Sequence, residues 1–510
     1  MILRRRHASP SLGPSLFEHV RAHLPAEGPG LTDGGERLPD ETDENIWAPG
    51  AQDGVLTHHW GGRADPVKVE RLTAALTEAV ARHGDRDSAA FDTLYETARE
   101  VQVISLVDDV LAAARSSGID PGDCYDVAFT LATEGRHREP VKLGMALLGL
   151  FDAGHHRDEL MTLGRHDEFT LFAAVALENR EGDGAEADLW ELARNVRGWG
   201  RVHVVERLAG TADPRLRNWI LREGFRNEVL DAYLAGIAAE TGGLADALAG
   251  DPDDDLLDAA CDILTALAQK DGPMQGMPAY AEGERATTLF LGHMSTRARE
   301  LRHFLTVHEL RAYAESEWPH LTPRCAEILD RPLWADLARR ELASTDSATF
   351  SRANWVCGIL GVPTLPALLN RLRTVDPLDS HAWFDAARHA GPDEIDEVVA
   401  LACELLPLAD IATGPGTETG LGTAWVPHTC LDFLLPELGK WPGRGVPLVL
   451  AGLASPVVRN RNMAIRALDG WGRDAWPAEI REAVATALTR EPDDDVRTRL
   501  QALLDGHSLD

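Results

Sequence analysis

From about residue 66 to the end of the chain, apolar residues recur at three and four spacing, the pattern of helices that each bury one face. Val69, Leu72, Leu76 and Val80 form the first stripe, Phe91, Leu94, Tyr95 and Ala98 the second, and Ile104, Val107 and Leu111 the third. Pro121, Pro140 and a His155-His156 turn punctuate further helices to about Leu177. Residues 185–270 predict helices over 186–196, 201–209, 215–223, 228–240 and 256–269. Gly198-Trp199-Gly200, Asp213-Pro214, Asn227 and Asp251-Pro252-Asp253-Asp254-Asp255 open the last four. Small or acidic residues there cap exposed amides, and proline takes an early helical position whose amide needs no partner. One or two long helices are expected over 278–315, and five or six short ones over 321–406, broken at Pro332, Pro363, Pro377 and Pro392. The last stretch, 455–505, predicts a helix opened by Ser455-Pro456, a Trp/Gly/Pro turn, a second helix and a restart at Glu491-Pro492.

These openings recur at a near-constant interval. Pro214 to Pro252 is 38 residues, Pro456 to Pro492 is 36, and Arg459 to Arg497 is 38. Pro-Asp-Asp-Asp occurs at 252–255 and 492–495, and Gly-Trp-Gly-Arg at 198–201 and 470–473. A two-helix repeat needs about 33 to 47 residues. Residues 455–505 resemble HEAT repeats, through the apolar-Arg pairs Val458-Arg459 and Val496-Arg497 followed by Ala464 and Leu468, then Leu500 and Leu503, at helical spacing. The resemblance implies a right-handed superhelix. The expected fold is therefore all-α: a superhelical array of HEAT-like hairpins, an α-solenoid, over 66–505.

Two segments break the pattern. Residues 1–65 are rich in Pro, Gly and acid and predict a largely irregular arm, with one short helix at about 14–23 and Ile46, Trp47, Leu56 and Trp60 as anchors onto the body. Residues 412–427 carry Gly414 to Gly422 and predict a long mobile loop insertion, a length that suits a gate or a contact loop.

Composition narrows the function. Lys and Arg total 50 against 82 Asp and Glu, a formal net charge of -32, which disfavours nucleic acid because phosphate contacts need a basic footprint. The six cysteines have no CxxC pair and read as buried reduced thiols. Met1 to Arg6 is followed by no apolar core of a signal peptide, and no run of 18 uncharged apolar residues occurs, so a cytoplasmic protein without a membrane span is expected.

Against this acidic background, residues 194–226 hold eight arginines and three acids. Arg194, Arg197, Arg201, Arg207 and Arg217 with Trp199 are the candidate partner-binding residues, a basic strip for an acidic segment, a phosphate or the chain's own arm. Pairing with carboxylates on neighbouring helices is the competing reading. His203, Glu206 and Arg207 share a helical face, and His with Glu is the weak catalytic candidate; a surface ion-pair cluster is the commoner outcome. His308-Glu309 lacks the second histidine of HExxH. His58-His59 and His155-His156 read as solvated loop pairs that cannot chelate one metal. Asp251, Asp253 and Asp255 miss the glycine and glutamate of a calcium loop and read as helix caps. No metal and no cofactor is expected.

The segment Gly198 to Phe225 resembles a bacterial family commonly labelled limonene hydroxylase, which implies terpene oxygenation at a haem, flavin or other redox centre. In the nearest haem-thiolate match, Phe350 to Ile359 around Cys357, Ala353, Trp355 and Ile359 stand where Gly, a basic residue and Gly belong, and no GxGxxG fingerprint occurs. The function expected is accordingly a scaffold that holds a protein or peptide on its concave surface and has no chemistry of its own. The rivals are an enzyme centred on His203, Glu206 and Trp199, and a helical-repeat DNA-base glycosylase, which needs a basic concave face.

Overall fold

The computed structural model describes residues 13–42, 47–59, 64–83, 88–180, 184–269, 272, 274 and 276–507. Met1 to Arg6 and two of the expected anchors, Ile46 and Trp60, lie outside the described residues. Among the described residues the regular structure is helical, and strand pairing is confined to one isolated bridge, Glu418 with Val457. None of these helices is long and apolar enough to cross a membrane.

The chain divides into two compact units, one of residues 1–298 and 306–328, the other of 299–305 and 329–510. In the first, helix Pro66–Ala81 is capped by Asp65, whose carboxylate accepts from Val67 N, and it buries Leu72, Leu76 and Val80. Helices Pro121–Glu134, Arg138–Leu148, Asp167–Glu178 and Trp199–Arg207 follow, each of the last three packing against the one named before it. Asp213 caps Pro214–Trp219 with Pro214 in the first turn, as the sequence predicts, and the helix ends in a π-helical turn, Ile220–Gly224. The helix expected over 228–240 is replaced. Asn227 Oδ1 accepts from Val229 N and Leu230 N, closing a turn before a 3-10 turn, Asp231–Tyr233, and a short helix, Ala235–Thr241. The side chain of asparagine competes with the helical backbone there.

The expected run of short helices over 321–406 is present, and its last three members, Leu365–Thr374, Ser380–His389 and Ile395–Leu405, lie in the second unit. Toward its end the helices fall into two rows. Val426–Leu438, Val458–Trp471 and Asp494–Asp505 pack successively in one, and Leu408–Ile411, Val446–Leu453 and Ala478–Arg490 in the other. Across the rows, Val446–Leu453 touches both Val426–Leu438 and Val458–Trp471, and Ala478–Arg490 touches Asp494–Asp505, so these helices cover apolar faces on their neighbours.

The 412–427 insertion makes hydrogen bonds to the segment that precedes the Val458–Trp471 helix. Glu418 N donates to Pro456 O at 3.2 Å, Val458 N to Glu418 O at 3.2 Å, and Gly414 N to Ala454 O at 2.8 Å. Arg461, fully buried, ties the region together: its guanidinium forks onto Glu491 at 2.9 and 2.7 Å and donates to Ser455 O and Gly416 O. Ser455 is thus an internal bracket and not a helix cap, while Val457 occupies the cap position.

Candidate functional site

The most unusual side-chain cluster lies in the first unit, where the N-terminal arm meets the Trp199–Arg207 helix. A Cβ on Gly198 would stand 2.2 Å from Asp167 Oδ2, and one on Gly200 2.6 Å from Asp167 Oδ1, so the two glycines let the helix start press onto Asp167. Trp199 between them is turned inward and is only 6% exposed. Residues 51–59, expected to be irregular, form a helix, Ala51–His59, that lies on this indole; a Cβ on Gly54 would fall 2.3 Å from Trp199 Cδ2. One helical turn beyond Gly54, His58 meets Trp199 at 5.4 Å, His203 at 5.5 Å and Tyr233 at 5.3 Å between ring centroids.

His58 Nδ1 is 2.9 Å from Gly54 O and Nε2 is 2.8 Å from Glu206 Oε1. The bond to Glu206 raises the His58 pKa, against the opposing effect of burial. His203 is 2% exposed, and burial pushes its pKa down to about 3, with His58 and Arg207 acting in the same direction. The pair therefore divides its roles, a readily protonated His58 beside a neutral His203. His203 Nδ1 is 3.9 Å from Glu206 Oε2, while its Nε2 is buried without a hydrogen-bond partner. One ligand atom from each of His58, His203 and Glu206 lies within 4.8 Å of the other two. His59 Nε2 contacts Tyr233 Oη at 2.8 Å. The surface ion-pair cluster expected at His203 and Glu206 is thus a largely buried one, because the arm covers it, and His58 is not a solvated loop histidine. His156 is likewise fully buried, and burial lowers its pKa.

Polar groups hold the rest of the arm. Lys142 Nζ is 2.7 Å from both Asp53 Oδ2 and Glu168 Oε1, and Glu168 Oε2 accepts from Gly50 N at 3.0 Å. Burial by itself would lower the Lys142 pKa, but Glu139, Glu168 and Asp53 outweigh it and raise it. The acids outnumber the cations here. The excess falls on Asp53, which burial pushes up to about 6, whereas Lys142 and Arg138 hold Glu168 low against its own burial. Arg138 donates to Asp40, Arg165 to Gly28 O, and Leu16 N to Gly135 O. Of the expected anchors, Trp47 and Leu56 are half-buried.

The arginines of 194–226 are largely engaged. Arg222 pairs with Asp253 at 2.7 Å, Arg226 with Asp262 at 2.8 Å and Arg215 with Asp213 at 2.8 Å. Arg201 donates to Val196 O and lies over the Trp219 ring, Arg207 donates to His203 O and faces Glu178 at 3.3 Å, and Arg217 donates to Thr241 O. Arg194 is exposed, as is Arg197, which reaches Glu228 only at 3.5 Å.

In the second unit, helices Ser347–Leu360 and Ser380–His389 border an open cleft of about 550 Å³. Trp355 on its wall is 57% exposed. Asn354 donates from Nδ2 to Asp385 Oδ2 at 2.6 Å, and its buried Oδ1 has no hydrogen-bond partner. Arg388 and His389 complete the polar side, Ile359 the apolar one. Cys357, the thiol of the haem-like segment, is fully buried, and burial raises its pKa. Of the six cysteines only Cys403 is exposed.

No family model and no curated protein matches this chain. The two resemblances drawn from the sequence thus rest on its residues alone. Trp199, His203 and Glu206 come together as their spacing implies, but His58, about 145 positions upstream, was legible only as a turn histidine. A helical run over 51–59 was the available signal, and Gly54 within it masked that run. The Asn354–Asp385 cleft left no trace in spacing, since its two sides come from separate helices.

Proposed function

We propose that the chain is a non-enzymatic scaffold, built from HEAT-like hairpins stacked within each unit, that binds a segment of a protein or peptide. The two rows of helices at the end of the second unit support the repeat reading, because each helix contacts its next-but-one neighbour along its own row. The observation that carries the binding role is the cleft beside Trp355. An exposed indole next to a concave surface is the type of residue on which binding energy concentrates. Asp385, in the lining of the cleft, offers a carboxylate to a cation. With a net charge of -32, the chain steers toward a basic partner, so the segment proposed carries an apolar anchor beside a Lys or Arg.

The arginine strip is the second reading, favoured by the exposure of Arg194 and Arg197, and it would take an acidic segment instead. Affinity capture from the native host separates the two. Trp355→Ala is expected to lose a partner that an Arg194→Glu/Arg197→Glu variant retains. The opposite result moves the interface to the strip. Identical capture by wild type and both variants removes the proposal.

A further inference from the structure

We propose that His58, His203 and Glu206 form a binding site for one divalent transition-metal ion of the zinc class. The inference is independent of the scaffold reading, and it rests on how three side chains from two helices are presented. The three ligand atoms already lie within 4.8 Å of one another, a separation that small side-chain rotations close to that of a coordination shell.

The orientation of His58 is the first support. Its Nδ1 is satisfied by the Gly54 carbonyl at 2.9 Å, which leaves Nε2 as the nitrogen aimed at Glu206. Metal-binding histidines are held in this way, one ring nitrogen donating to a carbonyl and the other carrying the ion. His203 is the second. It sits 2% exposed with Nε2 unpartnered, a buried polar atom whose cost needs an explanation. Glu206 supplies the negative charge, and Arg207, the cation next to it on the helix, is turned onto His203 O and Glu178.

Two imidazoles and one carboxylate select zinc-like ions over calcium or magnesium, which prefer all-oxygen shells. The wall of Trp199 and Tyr233 lowers the local dielectric, strengthening each bond to the ion. Three protein ligands leave a fourth position for water, and the Tyr233 hydroxyl is already held by His59. The ion would also fasten the arm helix to the body, since His58 belongs to one and His203 and Glu206 to the other.

The test titrates the full-length protein, stripped with chelator, with Zn²⁺ against a chromogenic competitor, and then with Co²⁺ while the visible ligand-field bands are recorded. Wild type is expected to take up one strongly bound equivalent. His58→Ala and Glu206→Gln should each weaken it by about tenfold or more and abolish the Co²⁺ bands. His155→Ala, in an exposed turn, should change neither readout. Circular dichroism establishes that the variants are folded; Glu206→Gln keeps the shape of the site if His58→Ala does not fold. Uptake of no equivalent by wild type, or equal uptake by wild type and Glu206→Gln, overturns the site and leaves His58–Glu206 as an ion pair that only anchors the arm.

Discussion

Asp167 shows how a single contact couples sequence to electrostatics. Gly198 and Gly200 give its carboxyl a tight seat, and burial pushes its pKa from 3.8 up to about 7, against the opposing backbone N–H groups of Gly200 and Gly198. Glu36 and Glu228 push the same way as burial, and Arg201 is the cation that faces it. The sign follows from proton binding. Between pH 3.8 and about 7 the folded state holds a proton that the unfolded chain has released, so this group's contribution to stability falls as pH rises through that window. Asp167→Asn removes the titration. Urea midpoints measured from pH 4 to 8 should therefore decline less in the variant than in wild type; parallel curves would refute the assignment. None of this is visible in the sequence, where Asp167 is one of many acids. His203 has the same history: its spacing to Glu206 was legible, while its burial depends on an arm far away in the chain.

At the scale of elements, the two recurring strings have different fates. Pro-Asp-Asp-Asp does the same work twice: Asp253 Oδ1 accepts from Leu256 N, and Asp493 Oδ1 from Asp495 N and Val496 N, each capping a helix start. Gly-Trp-Gly-Arg does not. At 198–201 it opens the Trp199–Arg207 helix, whereas at 470–473 it closes Val458–Trp471, with Gly472 at φ 71° ending the turn. Capping is a local interaction and is legible from four residues, but the direction in which a tryptophan turns is set by what packs on it. The arm helix illustrates the converse, a helix formed through its tertiary contact with Trp199. Gly54→Ala improves helix propensity by about 1 kcal/mol, yet its methyl would collide with the Trp199 ring. The collision should win, because the indole is boxed in by His203 and Tyr233. The expected outcome is faster protease cleavage N-terminal to Pro66 with the rest of the chain intact, and an unchanged cleavage rate would show that the arm yields instead.

For the whole molecule, the dominant quantity is the net charge of -32. Such an excess destabilises a compact state by self-repulsion, and salt shortens its reach from about 30 Å at 0.01 M to about 8 Å at 0.15 M. The ion pairs that matter most for the fold, Arg461–Glu491 and Lys142 with its acids, are buried and so are little affected by screening. Exposed pairs are worth about 0–1 kcal/mol each. Thermal unfolding should therefore shift upward between 0.01 and 0.15 M NaCl, and a downward shift would mean that surface pairs outweigh the repulsion. The sequence by itself determined the helical class, the acidic surface, and most helix boundaries where Asp or Pro marks them, because periodicity and capping act within a turn or two of chain. Only the tertiary structure decided that the arm folds over His203, that most of the arginines are spent on neighbours, that the 412–427 insertion is pinned by Arg461, and that Trp355 borders a cleft. Each of those depends on burial and on partners tens of residues away, which no local pattern encodes.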